Sequence, residues 1–435
     1  MNKDVTAILL GAGAGKRLWP LQDSKTLLQF AGEPLVVSTI RQLAKAGFRN
    51  VVVVSTPEDS KRIEAIKVPE VALRVVVQKT PSGMGDAVVT VHNTIGDVPV
   101  LIMNVHEFVE DALYERVWER TGGGKPFVVG RTVEAYFDGG YLQVENNRLT
   151  GIVEKPGRGR EPGNLVNLVI HFFPNLGEFV SVVGAVTTKR DDAYELGLTA
   201  FAREYMVEVI PYDGVWQPLK YPWHVLDILA IRLSQLAPKQ GKNVTIGKNV
   251  VLEGAVVLED DVRIFENSKI VGPCYIGRGT IIGNNTIVRE SHIGAGSVIG
   301  FNCDVTRSWV GEGCWFHSNY VGDSVLSGDV SMGGGTKLAN LRLDEGEISS
   351  QVLGTKMGTG RNKLGAIVGP GVRIGVNASI MPGVKIGANS FVGAGVILGS
   401  DLPDGSWCMV KQSLDTTTNQ KARTNPSREQ FKSKL

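Results

Sequence analysis

From Ile246 onward an aliphatic residue returns every six positions, at Ile246, Leu252, Leu258, Ile264, Ile270, Ile276, Ile282 and Val288. After one-residue slips the count resumes at Ile293, Ile299 and Val305, and it returns at Val368, Ile374, Ile380, Ile386 and Val392. A period of six is neither the 3.6 of an α-helix nor the 2 of an ordinary strand. It fits a parallel β-helix, where each aliphatic side chain turns inward and a tight turn follows. Glycine takes that next position in "IGRGTI", "IGAGSV" and "IGVNAS", and 53 of the 435 residues are glycine. An average chain has roughly 7%, so the excess is assigned to coil corners. Residues 243–410 are therefore predicted to be a solenoid. The repeat breaks over residues 336–366, an insertion expected to project from the working face. The polar, basic tail, residues 411–435, is expected to be disordered.

Residues 1–235 obey a different rule. "VTAILLGAG" and "VVVVS" are β-branched runs, and "PLVVSTIRQLAKAGF" between them has helical spacing and closes on Gly47. Such alternation predicts an α/β, Rossmann-like domain with a mostly parallel sheet and ligands at the carboxyl ends of its strands. A formal net charge of +2 supplies no field for nucleic acid. The longest apolar run, near Leu165 to Phe173, is far short of the roughly 20 residues that span a bilayer, so no membrane partner is expected. Cys274, Cys303, Cys314 and Cys408 lack metal-ligand spacing and predict reduced thiols in a cytoplasmic protein.

The first strand leads into "LLGAGAGKRLWPLQDSKTLLQ". Only three residues separate Gly11 from Gly15, and Arg17 stands where a P-loop needs Ser or Thr. The G-x-G-x-G spacing is not the dinucleotide fingerprint either. The stretch resembles the sugar-1-phosphate nucleotidyltransferases, on Gly11, Gly13, Gly15, Arg17, Leu18, Pro20, Leu21 and Lys25, with Lys16 in place of a threonine. Backbone N–H groups of such a loop cradle a triphosphate, and Arg17 and Lys25 would neutralise charge developing on the phosphates. The resemblance continues through "VVQKTPSGMGDAV", which implies Gln78, Gly83 and Gly85 as base-reading positions. It implies Gly140, Glu154, Lys155 and Asn167 as sugar-binding positions in "GGYLQVENNRLTGIVEKPG" and "NLVNLVIHFF".

This family places magnesium-binding aspartates after the strand that here reads "VLIMNVHE" and after a later tryptophan. At those places the chain has His106 or Glu107, and Pro218 followed by Lys220. Magnesium prefers hard oxygen donors, which leaves Glu107 as its candidate ligand.

Within the repeat, "FHSNYVGDSVLSGDVSMGGGTKLANLRLDEGE" is similar to the acetyltransferase half of the bifunctional N-acetylglucosamine-1-phosphate uridyltransferases, archaeal type, on His317, Tyr320, Gly322, Asp323, Gly333, Gly335, Thr336 and Asn340. The resemblance implies a left-handed β-helix, a homotrimer and acetyl-CoA as acyl donor. An amino sugar must lose a proton before it attacks a thioester, and histidine suits that task. His317 is the implied base, with Tyr320, Asn340 and Lys363 on the sugar phosphate, the Gly334 N–H at the oxyanion, and Val376 and Ala394 along acetyl-CoA. Two family positions differ: a phosphate-gripping lysine falls near Thr306, beside Arg307, and a sugar-contacting asparagine falls at Ser331.

The expected protein is a bifunctional enzyme that acetylates an amino-sugar 1-phosphate and joins a sugar 1-phosphate to UTP or dTTP. Two alternatives remain at this point. One is an acyltransferase whose first domain only binds a nucleotide sugar. The other is a non-enzymatic nucleotide-sugar sensor or scaffold.

Overall fold

The computed structural model describes residues 4–80, 82–188, 190–420 and 432. The β-branched runs form β1 (Thr6–Leu10), β2 (Asn50–Ser55), β3 (Ala72–Val77) and β4 (Val100–Asn104), with α1 (Leu35–Ala46), α2 (Pro57–Glu64) and α3 (Gly83–Ile95) between them. α1 stops where expected, because Gly47 takes φ +126° and its N–H closes on the Leu43 and Ala44 carbonyls. After α4 (Asp111–Thr121) come β5 (Phe127–Thr132), β6 (Gly140–Glu145), β7 (Arg148–Glu154) and β8 (Leu165–Phe173). Then follow α5 (Leu176–Gly184), α6 (Ala193–Glu204), β9 (Glu208–Pro211) and α7 (His224–Ser234).

The sheet order is β3-β2-β1-β4-β8-β5-β9-β7-β6. β1 to β4 pair in parallel, and β8 runs antiparallel to β4 and β5. Helices cover both faces, so the sheet separates one core around Ile40, Leu43 and Val117 from another around Val88, Phe179 and Phe201. In register, Leu10 lies beside Val54 and Asn104. The loops after β1 and β4 therefore leave the same edge.

The second half is a three-faced, left-handed parallel β-helix, each face a column of short strands. Arg263 pairs with Ile281 a full eighteen residues on, Ile281 with Val298 after seventeen, and Trp315 with Ser331 after sixteen. The slips in the sequence are thus corners shortened by one or two residues, with the inward column kept intact. From Leu258 to Val392 that column is sealed from solvent. Burying each such aliphatic contributes about 1.5–3 kcal/mol.

Two expected limits change. The solenoid begins at Lys239–Gln240, which pairs with Val257–Leu258, and Ile246 and Leu252 in this terminal coil stay exposed. The insertion also differs from expectation. The chain leaves the coil after Leu338, folds into a hairpin (Ser349–Val352 and Thr355–Gly358) and rejoins at Ile367. Rather than projecting freely, it buries Ile348, Val352 and Leu364 against Trp223, Leu226 and Leu229 around α7, and Arg361 pairs with Asp227. Residues 341–345 and the hairpin turn at 353–356 stay exposed. Residues 411–420 carry no helix or strand. Apart from Lys432, the rest of the tail lies outside the described residues.

The first domain sits on one face of the β-helix. Tyr275, His292 and Trp309, one from each of three successive coils, stack with centroid distances of 5.0 and 5.9 Å. His292 Nδ1 accepts from the Ala31 N–H at 3.1 Å, and Trp309 Nε1 donates to the Gln29 carbonyl at 2.8 Å. Burial holds the His292 pKa down at about 3, so the ring is neutral and keeps an acceptor nitrogen.

Candidate active site

At the carboxyl edge of β1 and β4 the glycine loop opens a cavity of about 520 Å³. It is lined by Gly13, Gln78, Gly83, Gly85 and Lys155. A second cavity of about 190 Å³ is lined by Arg17, Lys25, Glu107, Gly140, Asn167 and Lys220. The two share Asn104, His106, Glu154 and Lys155, so they are one cleft. Gly11 lies beneath it: a Cβ there would meet the Val54 carbonyl at 2.9 Å. Gly15 takes φ +62° to start the short turn Lys16–Leu18, which carries Arg17 to the cleft. Gln78, expected to read a base, donates its amide N–H groups to the Gly83 carbonyl and to Asp86 Oδ2, at 3.1 and 2.7 Å. Its donors hold the first turn of α3, which carries Gly83 and Gly85.

The cleft floor is cationic. Burial, with Arg17 beside it, lowers the Lys25 pKa to about 8, and burial lowers that of Lys220 to about 8 against the pull of Asp138. Asp138 Oδ2 sits 3.5 Å from Arg17 Nη2 and 3.4 Å from Lys220 Nζ.

The metal expectation meets the structure here. Glu107–Val109 and Trp216–Pro218 form a two-stranded ribbon in which Glu107 and Pro218 are direct partners. The fold thus brings the two substituted metal positions together. Yet one Glu107 oxygen accepts from Asn104 Nδ2 at 2.9 Å and the other from Trp216 Nε1 at 2.8 Å. Burial pushes the Glu107 carboxyl upward against those hydrogen bonds, and burial holds His106 near 3, as a neutral ring. Pro218 has no donor, and among the described residues no three His, Cys, Asp or Glu side chains gather as a metal cluster. A locked carboxylate amid Arg17, Lys25 and Lys220 does not fit a magnesium ion.

The expected sugar end assembles as a unit. Glu154 pairs with Lys155 at 2.6 Å, and a Cβ on Gly140 would crowd Ile152 and Glu154. Asn167 points the same way from β8 as His171, four residues along the strand. Sequence reasoning missed His171. Its Nε2 lies 2.8 Å from Asn167 Oδ1 and its Nδ1 2.8 Å from the Tyr194 hydroxyl. Burial lowers its pKa to about 3, so one N–H is available; given to Asn167 Oδ1, it leaves the Asn167 amide N–H groups facing the cleft. His171→Phe is expected to raise the KM for the sugar 1-phosphate about tenfold with a smaller change in kcat, since one oriented hydrogen bond is lost. Steady-state kinetics at fixed nucleotide checks this. Glu195 also faces the cleft, and burial followed by Glu154 raises its pKa to about 7.

The second site lies along a corner of the β-helix. His317 follows Phe316 into that corner and is exposed. Its N–H donates to Asn319 Oδ1 at 2.8 Å and its carbonyl accepts from Cys303 Sγ at 2.6 Å, so the backbone is fixed while the ring is free to act. In the next coil a Cβ on Gly334 would sit 4.0 Å from the His317 Cβ. Asn377 N–H bonds the Gly334 carbonyl and Gly395 N–H the Val376 carbonyl. His317, Gly334, Val376 and Ala394 therefore occupy consecutive coils, a track roughly 15 Å long at about 4.8 Å per coil. On the adjoining face the Tyr320 hydroxyl donates to Asn340 Oδ1 at 3.2 Å, and Asn340 bonds Asp323. Lys363 bridges Leu341 across the neck of the insertion, which brings it beside Asn340. Arg307, a candidate phosphate grip, is held by Asp323 through two hydrogen bonds of 2.7 and 2.8 Å.

Residues 6–209 match the nucleotidyl transferase family model, and residues 255–290 and 365–400 match that of the bacterial transferase hexapeptide (six repeats). A bifunctional sugar-1-phosphate nucleotidylyltransferase/acetyltransferase of Sulfurisphaera tokodaii is 32% identical over 86% of this chain and 92% of its own length. The chain belongs to this family. A bifunctional protein GlmU of Methanococcus maripaludis is 31% identical over 94% of this chain and 98% of its own. A mannose-1-phosphate guanyltransferase of Debaryomyces hansenii matches more weakly, 23% over 54% of the chain. As a member of the bifunctional nucleotidylyltransferase/acetyltransferases, the chain is a transferase with one domain of each kind. His317 and most of the insertion fall between the two matched hexapeptide segments, where the regular repeat is interrupted. No helix among the described residues is long and apolar enough to cross a membrane.

Proposed function

We infer that the first domain joins a sugar 1-phosphate to UTP or dTTP with release of pyrophosphate, and that the β-helix moves an acetyl group from acetyl-CoA to an amino-sugar 1-phosphate in the cytoplasm. The convergence of Gly13, Arg17, Lys25, Lys155 and Asn167 on one cleft carries the first assignment. Arg17 and Lys25 would bear on the α-phosphate and the leaving pyrophosphate, while Glu154, Lys155 and Asn167 hold the sugar.

In the second reaction His317 takes the proton from the ammonium, the amine attacks the thioester carbonyl, and the Gly334 N–H meets the oxyanion. Coenzyme A leaves as the thiol. Tyr320, Asn340 and Lys363 orient the phosphorylated sugar, and Val376 and Ala394 flank acetyl-CoA. Trp315, Phe391 and Trp407 are 53%, 44% and 71% exposed on the outward column of the face beside His317. Large apolar groups left open in that way support a homotrimer that shares its acyl sites.

The test is a pair of assays on the full chain. Incubation with UTP or dTTP and a panel of sugar 1-phosphates should release pyrophosphate, and acetyl-CoA with glucosamine 1-phosphate should release thiol. No pyrophosphate from any pair removes nucleotidyl transfer. His106 or Glu107 and Pro218 at the expected aspartate positions favour one second reading, in which the first domain binds a nucleotide sugar and the β-helix alone catalyses. Tight nucleotide-sugar binding without turnover would establish it.

A further inference from the structure

Two residues beyond Pro218, the chain carries Lys220 into the cleft. Lys220 is fixed there from several sides. Its ammonium lies 4.4 Å from the Phe137 ring centroid, and its side chain is 14% exposed. His224 Nδ1 lies 2.8 Å from the Pro218 carbonyl and sets the turn from which Lys220 departs. Phe137 in turn packs on Trp216 at 4.9 Å between centroids, and Trp216 locks Glu107. The aromatic pair that seats Lys220 thus also holds Glu107 in place.

We propose that this cleft binds the phosphate chain of its nucleotide without a divalent cation, with Lys220, Lys25 and Arg17 supplying the positive charge. The inference rests on the cleft being a nucleotide site, and it specifies how that site holds the phosphates. Asp138, between Arg17 and Lys220, acts as the anion that keeps the two cations near one another while the ligand is away. A phosphate oxygen entering the cleft replaces one carboxylate by another anion, so the positive groups are arranged before binding. Lys155 keeps its own partner, Glu154, and so leaves this group of three distinct.

Titration calorimetry of UTP and dTTP into the full chain tests the proposal, once in excess EDTA and once in excess magnesium. The dissociation constant should agree within about threefold between the two conditions. Lys220→Met should weaken binding in EDTA at least about tenfold, and Lys220→Arg should restore most of it. Thiol release at the β-helix serves as the check that both variants are folded. Binding that vanishes in EDTA and returns with magnesium overturns the proposal while leaving the nucleotide site standing. So does Lys220→Met binding as wild type. Binding of neither nucleotide in either condition removes the nucleotide site and this proposal with it.

Discussion

His317→Ala is expected to lower acetyl transfer to glucosamine 1-phosphate by about 10²–10⁴-fold, the usual worth of a positioned general base. The protein should remain folded. The coil uses the His317 backbone, through Asn319 and Cys303, and the ring stands exposed at the corner. Pyrophosphate release by the first domain should be unchanged, which separates loss of the base from loss of the fold. Thiol release measured across pH in wild type and variant decides it: a variant that keeps the wild-type rate would remove His317 from the chemistry.

The second large effect is at Lys25. Lys25→Met should reduce nucleotidyl transfer about 10²–10³-fold, because it removes one of the three charges that converge on the phosphates. A pH signature accompanies it. The free-protein pKa of Lys25 is depressed to about 8, first by burial and then by Arg17. Binding an anion favours the protonated amine and raises that pKa. Nucleotide affinity should therefore be flat below pH 8 and fall above it, by up to about tenfold per pH unit for each lysine that must regain its proton. Lys220, also near 8, adds to the slope, so Lys25→Met should flatten it in part. A wild-type profile that is level from pH 7 to about 10 would refute the assignment of these amines to the phosphates.

The solenoid was the most legible part of the chain because its core is one-dimensional. Leu258, Ile264 and Ile270 need only point inward and stack, and a period of six states that completely. What the chain does with its outward residues was harder to read. Tyr275, His292 and Trp309 recur once per coil, yet nothing in a repeat says whether such a column meets water or another domain. The insertion was visible as a break in period. Its docking on α7 depended on Asp227 and Leu226, more than a hundred residues away.

The cleft divides similarly. Gly13, Arg17, Lys25 and Lys155 were legible because backbone-limited loops have spaced motifs. The locking of Glu107 by Trp216 was not, since it arises from antiparallel pairing across a separation of 109 residues. His171 looked like one more residue of an apolar strand, and only the partnership with Asn167 and Tyr194 gives it a role.

The ring stack beneath the first domain bears on how such a chain can be taken apart. A β-helix cut free at Lys239 would present an oily stripe three coils tall, and the detached first domain would bare Leu28 and Phe30. Neither piece would be at ease in water. The two catalysts are therefore not beads on a string that a recombination event or a protein engineer could trade at will. Any exchange of one half has to carry a matching face for the other.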